Sequence, residues 1–251
     1  MSASRTVIPY SRLASTYDAA LGDRFFAGLR HAFEKLVRSY GISFRSAADL
    51  GCGTGIFARY VSKSRQIRVF AVDRSPEMLQ EAMRNCLDSK VSLLRQDIRC
   101  LQLPCPVDLV TANFDTMNHL LSRRDLQLAF RRIFESLNPT GHFIFDVLTP
   151  CLPKQRVRVC LQRGAMGCQA LQEIRWNPLR RLLSTSVTIR PISEEKPIVE
   201  VHRERAYSPA EIVNGLREVG FFIKGIHDAG TLRMADKCPA RIIVVAQKLR
   251  Q

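Results

Sequence analysis

The sequence predicts an α/β protein: a mostly parallel sheet with helices on both faces and a small antiparallel β insert late in the chain. Three observations carry this. From Ala47 to Val147, short apolar runs alternate with amphipathic stretches, the pattern of parallel strands joined by crossover helices. The first run leads through Asp49-Leu50-Gly51-Cys52-Gly53-Thr54-Gly55, a strand end, a Gly-rich turn and a helix start in succession. Between Thr149 and Arg205 the pattern changes to alternating segments separated by turn residues at Asn177-Pro178 and Ser193 to Pro197.

Taken in order, Tyr10 to Asp18 is an N-terminal arm. From about Asp23 to Tyr40, Phe25, Phe26, Leu29, Phe33, Leu36 and Val37 recur at helical spacing, so a helix with one buried face runs to Gly41. Ala47 to Leu50 is the first core strand. The glycines that follow suit a turn that needs φ > 0 and lets a ligand lie on the backbone, and the amides of the helix starting at Ile56 add donors and partial positive charge. Ile67 to Val72 is the second strand and ends at Asp73, with Ser75 and Pro76 as cap and first turn of the next helix. A carboxylate about 20 positions beyond such a turn can accept both hydroxyls of a ribose. Val91 to Arg95 is the third strand and runs into Asp97, able to accept from an exocyclic amino group, and Ile98, an apolar wall for a base.

The fourth strand, Val107 to Ala112, leads into Asn113-Phe114-Asp115-Thr116-Met117-Asn118-His119, so four strand tips converge on one edge. A helix over Arg124 to Leu137 ends near Asn138-Pro139-Thr140-Gly141, and His142 to Val147 is the fifth strand. After Gly164 and Gly167, the insert reads as antiparallel strands around Cys168 to Trp176, Leu182 to Arg190 and Ile198 to Arg205. Ser208, Pro209 and Glu211 form a capping box that starts a helix closed by Gly220, and Phe221 to His227 and Arg241 to Lys248 are the last two strands.

Bulk properties narrow the class. The 251 residues are 46% hydrophobic, enough for a full core, and no apolar run approaches the roughly 20 residues of a membrane span. Met1 to Pro9 lacks the apolar core of a secretion signal, and the expected location is the cytoplasm. The eight cysteines form no CxxC pair and no zinc-spaced cluster, so reduced thiols and no metal site are expected. A net charge of +15 favours encounters with nucleic acid, acidic metabolites or anionic membrane surfaces, but its arginines occur in pairs such as Arg123-Arg124 rather than in one tract, and no RNA-binding signature with interleaved aromatics is present.

The motifs DLGCGTG (Asp49 to Gly55), AVDRSPEML (Ala71 to Leu79), RQDI (Arg95 to Ile98), VDLVTANFD (Val107 to Asp115) and the GHFIFDV strand resemble those of the class I S-adenosylmethionine-dependent methyltransferases. The resemblance covers Tyr10 to Val147 and Tyr207 to Lys248. It implies a Rossmann-like sheet of seven strands in the order 3-2-1-4-5-7-6, the last inserted strand antiparallel. It also implies cofactor roles. The turn with Asp49, Gly51, Cys52, Gly53 and Gly55 would cradle the amino-acid portion of S-adenosylmethionine and Asp73 would hold its ribose. Arg74 and Met78 would flank the adenine, Asp97 and Ile98 would meet its amino edge and face, and Asn113 would approach the methionine end. A nicotinamide-dependent dehydrogenase normally has GxGxxG where this chain has GxGxG, and the phosphate-cradling GxxxxGK[ST] loop is absent.

The YSRLASTYD and FDTMNHL segments look like those of small-molecule methyltransferases, including N-methyltransferases of amino sugars and other amines. The expected reaction is methyl transfer to nitrogen or oxygen of a small acceptor; an RNA methyltransferase and a non-catalytic cofactor-binding module are the alternatives. Because the sulfonium is already activated, the protein has to align an acceptor lone pair, exclude water and accept a proton, and no metal is required. Asp115 and His119 are the candidate bases, with Tyr17 covering the cofactor. Asn118, Trp176, His202 and Arg205 are candidates for holding the acceptor, and a basic lining would suit an acidic one. Residues 1–45 are expected to form an arm and helix that contribute to a lid, 46–148 with 206–251 the cofactor-binding core, and 149–205 an acceptor-pocket or dimerisation element, in a monomer or homodimer.

Overall fold

In the computed structural model, residues 5–18, 23–152, 157–161, 169–190, 197–235 and 239–250 are described. Seven strands, β2 (Ser46–Leu50), β3 (Arg68–Asp73), β4 (Val91–Arg95), β5 (Val107–Ala112), β6 (Leu137–Leu148), β11 (Phe221–Asp228) and β12 (Arg241–Lys248), form one sheet in the spatial order β4-β3-β2-β5-β6-β12-β11. Every neighbouring pair is parallel except those of β12, which runs antiparallel to β6 and β11. Parallel pairing puts the C-terminal tips of β2, β3, β4 and β5 on a single edge, where open α/β sheets bind ligands.

Strand periodicity assigns alternate side chains to opposite faces. On one face Ala48, Leu50, Val110, Phe143, Phe145, Ile242 and Val244 pack with Leu126, Phe130 and Ile133 of α5 (Arg123–Glu135) and Ile212 and Leu216 of α6 (Pro209–Glu218). On the other, Ala47, Val69, Leu109, Ile144, Ile243 and Val245 meet Phe33, Leu36 and Val37 of α2 (Asp23–Ser39) and Phe57, Ala58 and Val61 of α3 (Ile56–Arg65). Both faces being covered explains why the strands read as continuous apolar runs. The helix starts follow their capping residues: Ser75 accepts from Met78 N (3.2 Å) at α4 (Pro76–Asn85), Ser122 from Asp125 N (3.0 Å) at α5, and Ser208 and Glu211 form the capping box of α6.

Three details differ from the sequence reading. The Asn138 to Gly141 stretch is not a free turn: β6 already pairs at Leu137 with Val107, and the ladder resumes at Leu109 with His142, so these residues form a bulge with Thr140 at φ 68°. Long-range pairing extends the strand through a local turn signal. Among the described residues the insert has four strands rather than three, β7 (Val157–Leu161), β8 (Gln169–Asn177), β9 (Leu182–Arg190) and β10 (Ile198–Arg205), and the arm adds a fifth, β1 (Arg5–Val7), parallel to β10, so that the sheet runs β1-β10-β9-β8-β7. A three-residue strand carries too little pattern to be read locally. Cys52, Cys86, Cys100 and Cys105 are free as expected, but Cys151 is disulfide-bonded, which the spacing of the cysteines does not signal. The predicted glycines at 164 and 167, Cys168 and the turn residues 193–196 lie outside the described residues. Among the described residues no helix is long and apolar enough to cross a membrane.

Beyond the β1–β10 ladder, one buried side chain fastens the arm to the insert. Glu200 of β10 is fully buried and accepts backbone hydrogen bonds from Tyr10 N (2.8 Å), Arg12 N (2.6 Å) and Leu13 N (3.0 Å), with His202 Nε2 3.4 Å away. Burial alone would raise its pKa, but His202 and the three amides outweigh it and hold the carboxyl below its ordinary value. Leu13 then packs with Val187 and Ile189 of β9. The stabilisation from Glu200 is complete above the ordinary glutamate pKa and is lost as pH falls through the depressed one. Hydrogen bonds to a charged group contribute about 1.5–3 kcal/mol, so Glu200→Gln is expected to lower Tm by roughly 3–12 °C. Hydrogen exchange should locate the loss: unchanged protection at the amides of Tyr10, Arg12 and Leu13 in this variant would show that Glu200 does not hold the arm.

Candidate active site

Above the tips of β2 to β5 lies a cavity of about 330 Å³, within the range of small-ligand sites. Its floor is the strand edge. Gly51, Gly53 and Gly55 all have positive φ (64°, 54° and 78°), but only one of them is open to a ligand. A Cβ on Gly51 would overlap Thr116 Oγ1, and one on Gly55 would lie 2.8 Å from Cys86 Sγ and 3.0 Å from Ala82 Cβ. At Gly53 the nearest atom is Met78 Sδ at 4.0 Å, so its vacant side faces the cavity.

Two buried carboxylates frame this turn. Asp73 Oδ2 accepts from Gly53 N (2.9 Å) and Oδ1 from Ser75 N (2.8 Å), which aims the carboxylate while leaving a lone pair on each oxygen. Burial raises its pKa against those two bonds and Arg74. Asp49 Oδ1 accepts from Thr111 Oγ1 (2.8 Å) and Asn113 Nδ2 (3.3 Å), whereas Oδ2 has no hydrogen bond among the described residues. Burial pushes the Asp49 pKa up to about 7, the bonds from Thr111 and Asn113 opposing and the nearby Asp73 adding to it. Asp18, Asp97 and Asp125 also line the cavity, against Arg74 and Arg99. Asp97 is engaged: Arg99 bonds it through Nε (3.0 Å) and Nη2 (2.7 Å) and holds its pKa down despite burial.

The arm forms the roof. Thr54 Oγ1 donates to Asp18 Oδ1 (2.5 Å), tying the arm to the glycine turn, and Tyr10 and Tyr17 meet edge to face with centroids 6.3 Å apart. Burial pushes the Tyr17 pKa up to about 12, so it is a neutral hydroxyl at neutral pH. Tyr10 Oη lies 3.1 Å from His119 Nε2 in the 3-10 turn Thr116–His119. Burial, then the charge of Arg74 and His202, push the His119 pKa down to about 4, opposed by a bond with the Arg203 backbone.

Of the predicted site residues, Asp49, Gly51, Cys52, Gly53, Asp73, Arg74, Met78, Asp97, Ile98, Asn113, Tyr17 and His119 line the cavity. Six do not. Gly55 is the α3 N-cap packed on α4, so its missing Cβ serves helix packing rather than a ligand. Asp115, at φ 62°, pairs with Arg241 Nη1 (2.7 Å), which also binds Asp146; burial raises its pKa to about 6, with Arg241 opposing and Asp146 adding. Asn118 is fully buried and clips two strand ends together, accepting from Leu148 N (2.9 Å) and donating to Leu148 O (3.2 Å) and Arg205 O (2.7 Å). Trp176 sits in β8 opposite Leu183, half-buried and away from the cavity. His202 and Arg205 are three residues apart on one strand and so face opposite sides. His202 packs on Tyr10 (centroids 4.5 Å), whereas Arg205 lies over the Tyr207 ring (5.3 Å) and 3.8 Å from Glu211. The basic lining they would have supplied is therefore absent. Cavity-lining residues the sequence reading missed include Tyr10 and Asp18; Glu204, outside the lining but 3.9 Å from His119, was signalled by the alternation Glu200, His202, Glu204 on one face of β10.

This strand order, with a glycine turn and two acidic strand tips beneath an aromatic roof, is the class I S-adenosylmethionine-dependent methyltransferase fold. Residues 47–141, from β2 into β6, match a family described as a methyltransferase domain. A putative methyltransferase of Geobacillus sp. (strain WCH70) is 29% identical over 141 residues, which span 55% of this chain and 57% of that protein. The chain thus matches little more than half the length of this curated relative. An S-adenosylmethionine-dependent methyltransferase from Clostridium acetobutylicum ATCC 824 shares the fold at a TM-score of 0.79 and 24% identity, over 96% of this chain and 99% of that one. The sugar N-methyltransferase KedS8 from Streptoalloteichus sp. ATCC 53650 does so at 0.76 and 17% identity, over 100% and 99%.

The two kinds of glycine separate by substitution. Gly51→Ala should destabilise the fold by several kcal/mol, because positive φ and overlap with Thr116 add. Gly53→Ala should cost only about 1 kcal/mol of strain yet remove ligand binding. Thermal melts paired with calorimetry would read both, and full binding by Gly53→Ala would show that no ligand lies on that turn.

Proposed function

We propose that this chain is a methyltransferase that uses S-adenosylmethionine to methylate a nitrogen or oxygen of a small-molecule acceptor. The observation that carries the reading is the acidic cavity at the strand tips, with its open Gly53 face below and Tyr10, Tyr17 and His119 above. The residues present fit the cofactor. Gly53 leaves room for a ligand where a Cβ would stand, Asp73 keeps two lone pairs for a diol, and Asp49 offers a free carboxylate oxygen to a cation. Met78 and Ile98 supply apolar walls for a base, with Asp97 at its edge. When bound, S-adenosylmethionine supplies a methyl group already activated on sulfur.

The chain's own residues then have three tasks. Asp49 and Asp73 hold and orient the donor, and Asn113, fixed on Asp49, stands beside its reactive end. The arm, with Tyr10 and Tyr17, excludes water and presses the acceptor into line, the term that lowers the barrier most in such reactions. His119, the only imidazole among the cavity-lining described residues, is placed to receive a proton. The full-length likeness to a sugar N-methyltransferase supports a small-molecule acceptor.

Calorimetry should give saturable binding of S-adenosylmethionine, weakened about 10- to 100-fold by Asp73→Ala as charge-assisted bonds to the ribose are lost. No binding by the wild-type protein would end the reading. Asp49 adds a pH signature. A cation bound beside it favours the carboxylate, so binding below pH 7 should release a proton and affinity should rise with pH up to about 7 and then level. Measuring binding enthalpy in buffers of different ionisation enthalpy would count that proton, which Asp49→Asn should abolish. A transfer screen with labelled cofactor over amines and alcohols tests the second half, and binding without transfer to any of them would leave a non-catalytic module.

A further inference from the structure

We propose that Glu204 and His119 form one proton-sharing pair that takes up the proton released by the acceptor, with Glu204 as the positioning carboxylate for the histidine. This rests on the methyltransferase reading and names a residue that the cavity lining does not include. Glu204 ends the inward face of β10, in register with Glu200 and His202, and its side chain is only 14% exposed. Its Oε1 lies 3.9 Å from His119 Nε2, beyond hydrogen-bond distance but near enough to tighten once an acceptor is bound, as catalytic contacts often do.

The charges around it leave Glu204 uncompensated. Arg241 is taken by Asp115 and Asp146, so one cation serves three carboxylates in this buried cluster. Burial first, then Asp115 and Asp146 against Arg241, push the Glu204 pKa up to about 8. His119 shows the complementary defect. Held near 4 by burial, Arg74 and His202, it is by itself a poor base. A proton arriving on His119 supplies the positive charge that Glu204 lacks, and ionised Glu204 supplies the field that His119 lacks. Tyr10 and Tyr17, which face the pair from the arm, have pKa values raised by burial and stay neutral, and Asp73 at the β3 tip stays anchored to backbone amides.

In the step, the N–H or O–H bond of the acceptor breaks and leaves its electron pair on the heteroatom. The proton bonds to the pair at Nε2, where the Tyr10 hydroxyl now sits, and the pair passes from a charge of −1 to zero. The proton returns to solvent when the product leaves. Such base assistance contributes about 10²- to 10⁴-fold.

The chain has five histidines, so their ring resonances can be resolved by NMR. In the full-length protein the His119 ring should titrate in two steps, the upper one near pH 8, and the upper step should vanish in Glu204→Gln while persisting in Glu204→Asp. A single step, or two steps unchanged by Glu204→Gln, would overturn the pair. With an acceptor from the transfer screen, Glu204→Gln should lower kcat/KM by about 100-fold or more and remove the rising limb near pH 8. A uniform loss at every pH would mark Glu204 as merely structural. S-adenosylmethionine binding, measured on the same variants, should not change; its absence in the wild type would end the methyltransferase reading, whereas the ring titration decides the pair by itself.

Discussion

A buried carboxylate needs partners, and the partners that Glu200 takes determine where the roof of the site lies. With no exposure to water, this side chain is stable as an anion only because three backbone amides of the arm and His202 surround it. The amides belong to residues that have left regular structure, with Tyr10 at φ 67°, so the carboxylate also satisfies donors that no strand or helix would satisfy. The consequence reaches the chemistry. Tyr10 is brought over His119, Leu13 over the insert, and Asp18 onto the glycine turn through Thr54, so that arm, insert and cofactor turn are held in one arrangement.

The electrostatics of the site oppose those of the whole molecule. The chain carries a net charge of +15, yet its cavity is lined by five aspartates against two arginines, with Glu204 and the Asp115, Asp146 and Arg241 cluster close by. The distant positive field governs which molecules approach; the local carboxylates govern which charges are held. A cationic ligand suits that interior. The acidic interior also explains why burial pushes Asp49, Asp115 and Glu204 upward together: each is kept from water and only Asp115 has a full cationic partner.

The strand-tip half of the cavity was legible because its residues lie in short contiguous motifs at strand ends. A strand tip followed by a glycine turn or a capped helix locates Gly53, Asp73, Asp97 and Asn113 without knowledge of anything distant, and the bounds of β4, β5 and β12 agree with the apolar runs that define them. The residues expected to hold an acceptor were not. Asp115 and Asn118 sit in a promising segment, but the first meets Arg241, 126 positions away, and the second meets Leu148 and Arg205. Neither encounter leaves a trace in local sequence. The insert was misread for a simpler reason: Glu200, His202 and Glu204 alternate with Arg203 and Arg205, and the pleat allows only one of the two sets to face inward.

By itself, then, the sequence determined the parallel α/β core, its glycine turn and the acidic strand tips that suit an adenosyl ligand, because those properties follow from periodicity, capping and backbone conformation over a few residues. Tertiary structure decided which face of β10 turns inward, that Gly55 packs while Gly53 stays open, and that the arm roofs the cavity through Glu200. These are outcomes of contacts between segments up to 190 residues apart, where burial and charge compensation choose among side chains that the sequence presents as equivalent.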